Sequence, residues 1–448
     1  MGLKLLFIHQ NFPSQYANIA RHYAADPSNT VAAVGDAANL RKRVRIPGVN
    51  LLGYNAPSPP DRHTHHYLRN HEEYVRRGQA VARLLAQMRD QGFTPDVILV
   101  HPSWGEGLFI RLVYPDVPIL AYAEYWTGLG DPSLSFDPEF PVSQDQRCMA
   151  QYANATQALT LTDADALQTP TRFQLSTLPP SLRERAVILY DGVDTEAFQP
   201  DAKASLTLPP TKTTFNRENV PLPFWVPLRK EPLSLTRADT VITFINRVLE
   251  PYRGWPSFAR ACPLIQEACP EAHILIIGRT GAPGAGGYGP PPGAYARKAG
   301  NWRDVMLEKL RGKLDYSRLH FAGELPMADT RAALQLSRAH VYLTYPFVVS
   351  YSPVEAMSCA APLILSDVEP CREIAAHESE AHGGEALFVD FHSPERIAEA
   401  VILLVRDQAS AERLGLAARE RALKEYDVDI WLPRWTELIE KLAGRGGV

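Results

Sequence analysis

The chain has 448 residues, which predicts two or three domains at about 150 residues each. Apolar residues make up 45% and charged residues 21%, a balance that excludes a disordered chain. The formal net charge of −4 offers no global positive field for gripping nucleic acid. Five cysteines, odd in number and never spaced C-x-x-C, argue against a disulfide scaffold or zinc ribbon and fit a reducing compartment. The opening Met1–Ile8 turns polar at His9, too soon for a signal peptide. No apolar run reaches the roughly 18 residues needed to span a bilayer. A cytoplasmic protein of several domains is expected.

In chain order, the strand candidates of the first half are Leu5–Ile8, Val97–Val100, Ile119–Tyr122, Ala158–Leu161 and Ala186–Leu189. A helix is predicted from about His71 to Gln91, where Tyr74, Gly78, Val81, Leu85 and Met88 recur on one face. Residues 199–240 are rich in Pro, Lys and Thr without helical period and read as a linker carrying an inserted loop or hairpin. A second series follows: Val241–Ile245, Ile274–Ile277, Leu319–Phe321, Val341–Thr344, Leu363–Leu365 and Leu387–Val389. Helical patterns at Glu395–Val405 and Ile430–Leu442 close the chain. Strands alternating with helices indicate two α/β domains with parallel sheets, which bind ligands beyond the carboxyl ends of their strands.

Three motifs point elsewhere and fail on context. Gly284-Ala285-Gly286-Gly287-Tyr288-Gly289 matches G-x-G-x-x-G but runs into Pro290-Pro291-Pro292, which cannot supply the amides of a first helical turn. A nicotinamide site is therefore not expected. His63-Thr64-His65-His66 has no carboxylate or cysteine at ligand spacing and reads as a solvated loop, so no metal is expected. Arg41-Lys42-Arg43 with Arg45 reads as solvated surface, with a contact to anionic lipid headgroups or phosphate as the functional alternative.

The informative constellation begins at Asn246-Arg247-Val248-Leu249-Glu250-Pro251-Tyr252-Arg253-Gly254, directly after a strand. Two guanidinium groups six residues apart can converge on one anion. A hundred residues later, Tyr345-Pro346-Phe347 leads into Ser350-Tyr351-Ser352-Pro353-Val354-Glu355. Small residues ahead of a helix leave amides for phosphate, and Glu355 is placed to accept from a ribose. Together these residues describe a nucleoside-diphosphate pocket.

These residues resemble the retaining family-4 glycosyltransferases of GT-B architecture, which place two Rossmann-like doubly wound domains across a cleft. The resemblance rests on residues 246–254, Val354-Glu355-Ala356-Met357-Ser358-Cys359-Ala360-Ala361-Pro362, Ser366-Asp367 with Arg372-Glu373-Ile374, Ala164–Thr171 and Tyr190-Asp191-Gly192-Val193-Asp194. His101-Pro102-Ser103-Trp104-Gly105-Glu106 and Phe136-Asp137-Pro138-Glu139-Phe140-Pro141 look like a bacterial subgroup.

The resemblance implies an acceptor-side domain at 1–198, the linker at 199–240, a nucleotide-sugar domain at 241–425 and a C-terminal helix at 426–448 crossing back to the first domain. Arg247 and Arg253 would hold the donor diphosphate, Glu355 the ribose, amides around Ser350, Tyr351 and Ser352 the distal phosphate, and Arg279 and Leu325 the base. Glu106 and Glu124 are the acceptor-side catalytic candidates, with His101, Trp104, Asp137 and Glu139 beside them. Phe347 stands where the family often has a second Glu, and Glu124 stands nearest the usual His of the first domain. The implied partners are a nucleotide-sugar donor, used as co-substrate with no cofactor, and a glycan, lipid-linked or protein acceptor. A GT-B epimerase and a catalytically lapsed nucleotide-sugar-binding protein are the alternatives.

Overall fold

The computed structural model describes residues 2–211, 221–281, 300–376 and 384–444. Two compact units emerge: Met1–Leu134, Val142–Gly192 and Val428–Val448 form one, and Ser135–Pro141 with Val193–Asp427 form the other.

The first unit is built on seven strands: β1 (Lys4–Ile8), β2 (Thr30–Asp36), β3 (Val49–Tyr54), β4 (Val97–Val100), β5 (Ile119–Tyr122), β6 (Ala166–Thr169) and β7 (Ala186–Ile188). They run parallel in the order β3-β2-β1-β4-β5-β6-β7, so the order reverses between β1 and β4. The central strands β1, β4 and β5 are buried on both faces, which is why they read as continuous apolar runs. Leu6, Ile8, Ile98 and Val100 enter one core, while Leu5, Phe7, Val97 and Leu99 enter the other. The 23-residue helix Leu68–Asp90 buries Gly78, Val81, Leu85 and Met88 along the expected face. Gly78 is required there, since a Cβ would meet the Gly105 carbonyl oxygen at 2.7 Å. The C-terminal helix Val428–Leu442 buries Trp435 and Ile439 in the same core as Leu5 and Phe7, and the Trp435 indole donates to the Tyr190 carbonyl at 2.9 Å.

Three readings of this half change. Ala158–Leu161 is the end of the helix Gln144–Asp163, not a strand. A capping box joining Ser143 and Gln146 starts that helix, and a four-residue apolar run carries no period to tell the two apart. The strands β2, β3 and β6 escaped notice because Ala, Gly, Asn and Gln dilute their β-branched character. The domain break falls after Gly192 rather than Phe198. Val193 bridges Asp427, its amide donates to the Tyr426 carbonyl, and the Thr195 hydroxyl donates to Asp427, tying this segment to the second unit.

The second unit opens with an antiparallel hairpin of β8 (Ser205–Leu208) and β9 (Leu233–Thr236). Much of the expected linker 199–240 is thus part of this unit, with Leu206, Leu208 and Leu235 buried. Six parallel strands follow: β10 (Val241–Val248), β11 (His273–Arg279), β12 (Leu319–Gly323), β13 (Ser337–Tyr342), β14 (Leu363–Ser366) and β15 (Ala386–Val389). Their order is β12-β11-β10-β13-β14-β15, which puts β10 at the reversal and β12 at an edge. The helices Trp255–Ala268 and Pro394–Arg406 pack on the core of Ile242, Phe244, Ile274 and Val341. The Gly284–Gly289 motif lies outside the described residues.

Candidate functional site

In the second unit the expected donor residues gather beyond the carboxyl ends of β10, β11 and β13. A register shift between Ile245 and Val248 interrupts the ladder, leaving Arg247 exposed at its end. The Arg247 carbonyl accepts from Arg279 Nε at 3.3 Å, so the Arg279 side chain lies against the end of β10. The chain then turns through the short helix Pro251–Arg253, and Gly254, at φ +67°, redirects it into Trp255–Ala268. A Cβ at Gly254 would sit 2.3 Å from that of Leu343, so this turn brings Arg253 against β13 only with glycine behind it.

Arg253 is buried, and its Nη1 donates to Tyr342 Oη at 2.8 Å, Thr344 Oγ1 at 2.9 Å and the Val348 carbonyl at 2.8 Å. Tyr342 Oη also accepts the Ser350 amide at 2.8 Å. Ser350 precedes the eight-residue helix Tyr351–Ser358, and its side chain does not cap it. Ser352 Oγ donates to the Ile245 carbonyl at 3.4 Å and lies 3.2 Å from Ser350 Oγ. Arg253 and the start of this helix are therefore joined through a single hydroxyl. Positive charge and a helix N-terminus side by side favour an anion.

Glu355 sits one turn inside that helix, half-buried. Burial pushes its carboxyl up to about 7. Phe347 is held edge-on to Tyr252 at 5.7 Å, and the Arg253 guanidinium carbon lies 5.8 Å from its ring centroid. An aromatic face thus stands beside Arg253. Leu325 lines a cavity of about 470 Å³ with Gly278 and Thr280, at the ends of β11 and β12. Tyr342 and Thr344 were missed in the sequence. Their signal was a pair of hydroxyls closing an otherwise apolar strand, groups that need partners when buried.

The first unit carries a separate polar cluster where β1, β4 and β5 end, at the reversal of its strand order. His9, His101 and Glu124 follow those strands. His9 Nδ1 accepts the Asn11 amide at 2.8 Å, so Nε2 carries the proton and donates to Gln15 Oε1 at 3.0 Å. Gln15 Nε2 then donates to Glu124 Oε1 at 3.1 Å, while Glu124 Oε2 lies 3.6 Å from His101 Nε2. Burial, then the neighbouring His101, holds His9 well below the usual imidazole range, so it is neutral. The His101 ring is stacked between Trp104 at 4.6 Å and Tyr122 at 5.1 Å. His9 and Gln15 were not singled out in the sequence. The position of His9 directly after the first strand was the available signal.

Other expected residues take different places. Glu106 is fully buried, accepts from the Tyr54 hydroxyl at 2.6 Å and has its carboxyl raised by burial. It braces β3 beneath the surface, which does not suit an acceptor-side acid or base. Asp137 and Glu139 belong to the second unit. Asp137 Oδ2 accepts from Tyr345 at 2.8 Å, and Glu139 pairs with Arg260 at 2.6 Å and Lys309 at 3.4 Å, while Phe136 and Phe140 pack on the core. These contacts anchor the segment on the second unit. His66 meets Asp145 at 3.0 Å, a partner that sequence spacing did not reveal. Among the described residues no group of three or more His, Cys, Asp or Glu is arranged to hold a metal ion.

Comparison with known proteins places these features. Residues 27–198 match the glycosyl transferase family 4 group, and residues 230–421 match the glycosyl transferases group 1. With the two parallel-sheet domains, the chain is a glycosyltransferase of GT-B fold. Among solved structures it is similar to Anabaena HepE in complex with UDP-glucose, at 14% identity over 98% of this chain and 100% of that one, TM-score 0.64. Sucrose-phosphate synthase from Thermosynechococcus elongatus is similar at 15% identity over 99% of both chains, TM-score 0.67. A glycosyltransferase from Rickettsia africae is similar at 12% identity over 98% of both, TM-score 0.61. At such identities the likeness is one of fold. No curated protein matches the chain.

Proposed function

We propose that the protein transfers a sugar from a nucleotide-diphosphate donor to a glycan, lipid-linked or protein acceptor, with retention of configuration and without a metal ion. The observation that carries this reading is the junction of Arg253, Tyr342 and the helix beginning at Tyr351, with Glu355 one turn further on. When the glycosidic bond breaks, the leaving diphosphate gains negative charge. Preplaced Arg247, Arg253 and the amides near Ser350 then stabilise the transition state more than the ground state. Glu355 accepts from the ribose, and the cavity beside Leu325 takes the base. The leaving phosphate oxygen accepts the acceptor's proton as the new glycosidic bond forms on the same face. On the acceptor side, Glu124 is the candidate that combines partial exposure with a positioned carboxylate.

That HepE has been captured with UDP-glucose supports a uridine donor as the first to test. Incubation with UDP-glucose and a panel of other nucleotide sugars, read by product mass spectrometry, tests the proposal. Transfer or slow donor hydrolysis that persists in excess EDTA is expected. Loss of turnover in chelator, restored by Mg²⁺ or Mn²⁺, would contradict the metal-free pocket. An epimerised product supports the epimerase alternative. Binding without turnover supports a lapsed enzyme, for which Phe347 is the specific motive.

No helix among the described residues is long and apolar enough to cross a membrane. The exposed run Arg41–Arg45 supports peripheral contact with anionic lipid at a cytoplasmic membrane face.

A further inference from the structure

The edge strand β12 is flanked by residues 221–229, and the two enclose a cavity of about 480 Å³ lined by Val226, Leu228, Arg229, Tyr316, His320 and Phe321 among others. The polar groups in its wall are unusually disposed. Arg229 Nη2 donates to the Pro209 carbonyl at 2.5 Å, and Nη1 donates to His320 Nδ1 at 3.4 Å. His320 Nε2 then donates to His273 Nδ1 at 2.9 Å. Burial, followed by His273 and Arg229, pushes His320 down to about 3, and burial also lowers His273. Both imidazoles are neutral, so neither adds charge, and neither can offset that of Arg229.

Among the described residues no carboxylate lies within ion-pair distance of Arg229. Its Nε is buried without a hydrogen-bond partner, and the buried Tyr316 hydroxyl in the same wall also lacks one. Asp315, the acid of this wall, is already matched by Arg318 at 2.8 Å and the Ser317 hydroxyl at 2.6 Å. A half-buried cation with no counter-charge among the described residues, and two orphaned donors, are costly unless something accepts from them. The remaining wall is largely aliphatic and aromatic.

We propose that this cavity is a second ligand site, taking a small anion whose phosphate or carboxylate head meets Arg229 and Tyr316 and whose apolar body lies against Val226, Leu228 and Phe321. Arg229 and Phe321 also line the neighbouring cavity that reaches Gly278 and Leu325. A ligand held here thus shares a wall with the proposed base pocket without occupying it.

Isothermal titration of the full chain with phenyl phosphate and with benzoate tests the site and distinguishes the two head groups. One of them should bind one per chain and remain bound in saturating UDP. Arg229→Gln should weaken it about 10-fold or more, since a hydrogen bond to a charged group is involved. Because that change also cuts the tie to Pro209, two further variants keep the test sharp. Tyr316→Phe should weaken binding several-fold with the ring in place, and Ser317→Trp, at the exposed rim, should block it. The proposal is overturned if neither compound binds, if UDP displaces the bound one, or if affinity is equal in all three variants. The readout is binding, so the result stands whichever way the glycosyl-transfer assay falls.

Discussion

The hydroxyl of Tyr342 lies 2.8 Å from Arg253 Nη1 and 2.8 Å from the Ser350 amide nitrogen. One oxygen thereby accepts from both anion-binding elements, the guanidinium delivered by β10 and the helix that follows β13. Its two lone pairs suffice for both donors. Arg253 accordingly has two roles, since it anchors the β13 exit as well as carrying charge.

Removing Tyr342's hydroxyl separates those roles. Tyr342→Phe takes the acceptor from the part-buried Ser350 amide, a cost of about 1–3 kcal/mol, and leaves Arg253 Nη1 with Thr344 and the Val348 carbonyl, so the melting temperature should fall and nucleotide-diphosphate affinity should fall with it. Arg253→Ala should lower kcat as well as affinity, by about 10- to 150-fold. Titration and turnover of each variant, shown folded by circular dichroism, provide the check. Unchanged affinity and turnover in Arg253→Ala would sink the assignment.

Glu355 gives a pH prediction. Its carboxyl is raised from the ordinary 4.5 to about 7 by burial, so folding favours its protonated form. The stability this supplies is complete below about pH 4.5 and is lost as pH rises through 7. Glu355→Gln should therefore gain melting temperature relative to the wild type as pH rises to 8. Donor affinity should move oppositely. The ionised carboxylate is the better acceptor for ribose hydroxyls, so wild-type affinity should rise between pH 6 and 8 and the Gln variant's should stay flat. A 2′,3′-dideoxy nucleotide should barely distinguish the two proteins. Parallel pH profiles for wild type and variant would remove the ribose role.

Phe347→Glu restores the carboxylate common in the family at a position beside Arg253. The side chain now packs on Tyr252 and faces the guanidinium. A new carboxylate there would compete with the donor diphosphate for Arg253 and lose the aromatic wall. kcat/KM for the native donor should drop about 10-fold, equal to about 1.4 kcal/mol. An increase would mean that Phe347 does not shape the sugar pocket.

Membrane contact depends on Arg41, Lys42, Arg43 and Arg45, all exposed, with Val44 86% exposed among them. Sedimentation with phosphatidylserine vesicles should recover the protein at low salt and release it at 0.5 M salt, because screening acts within a few ångströms there. Binding insensitive to salt, or absent at every salt concentration, would end the electrostatic version.

By itself the sequence determined the class of fold and put most of the proposed donor-side residues at strand ends. Parallel strands buried on both faces leave continuous apolar runs, and Arg247, Arg253, Ser350 and Glu355 follow such runs in the chain. Local spacing therefore suffices to put them at strand ends. What only the tertiary structure decided depends on pairs far apart in the chain. Arg253 finds Tyr342 across 89 residues, and Gln15 joins Glu124 across 109. Glu106, an acceptor-side candidate in the sequence, is buried and accepts from Tyr54, which arrives on β3. Asp137 is claimed by Tyr345, 208 residues away. The sheet order sets those meetings, and a hydrogen bond between side chains on different strands leaves no periodic trace in either segment.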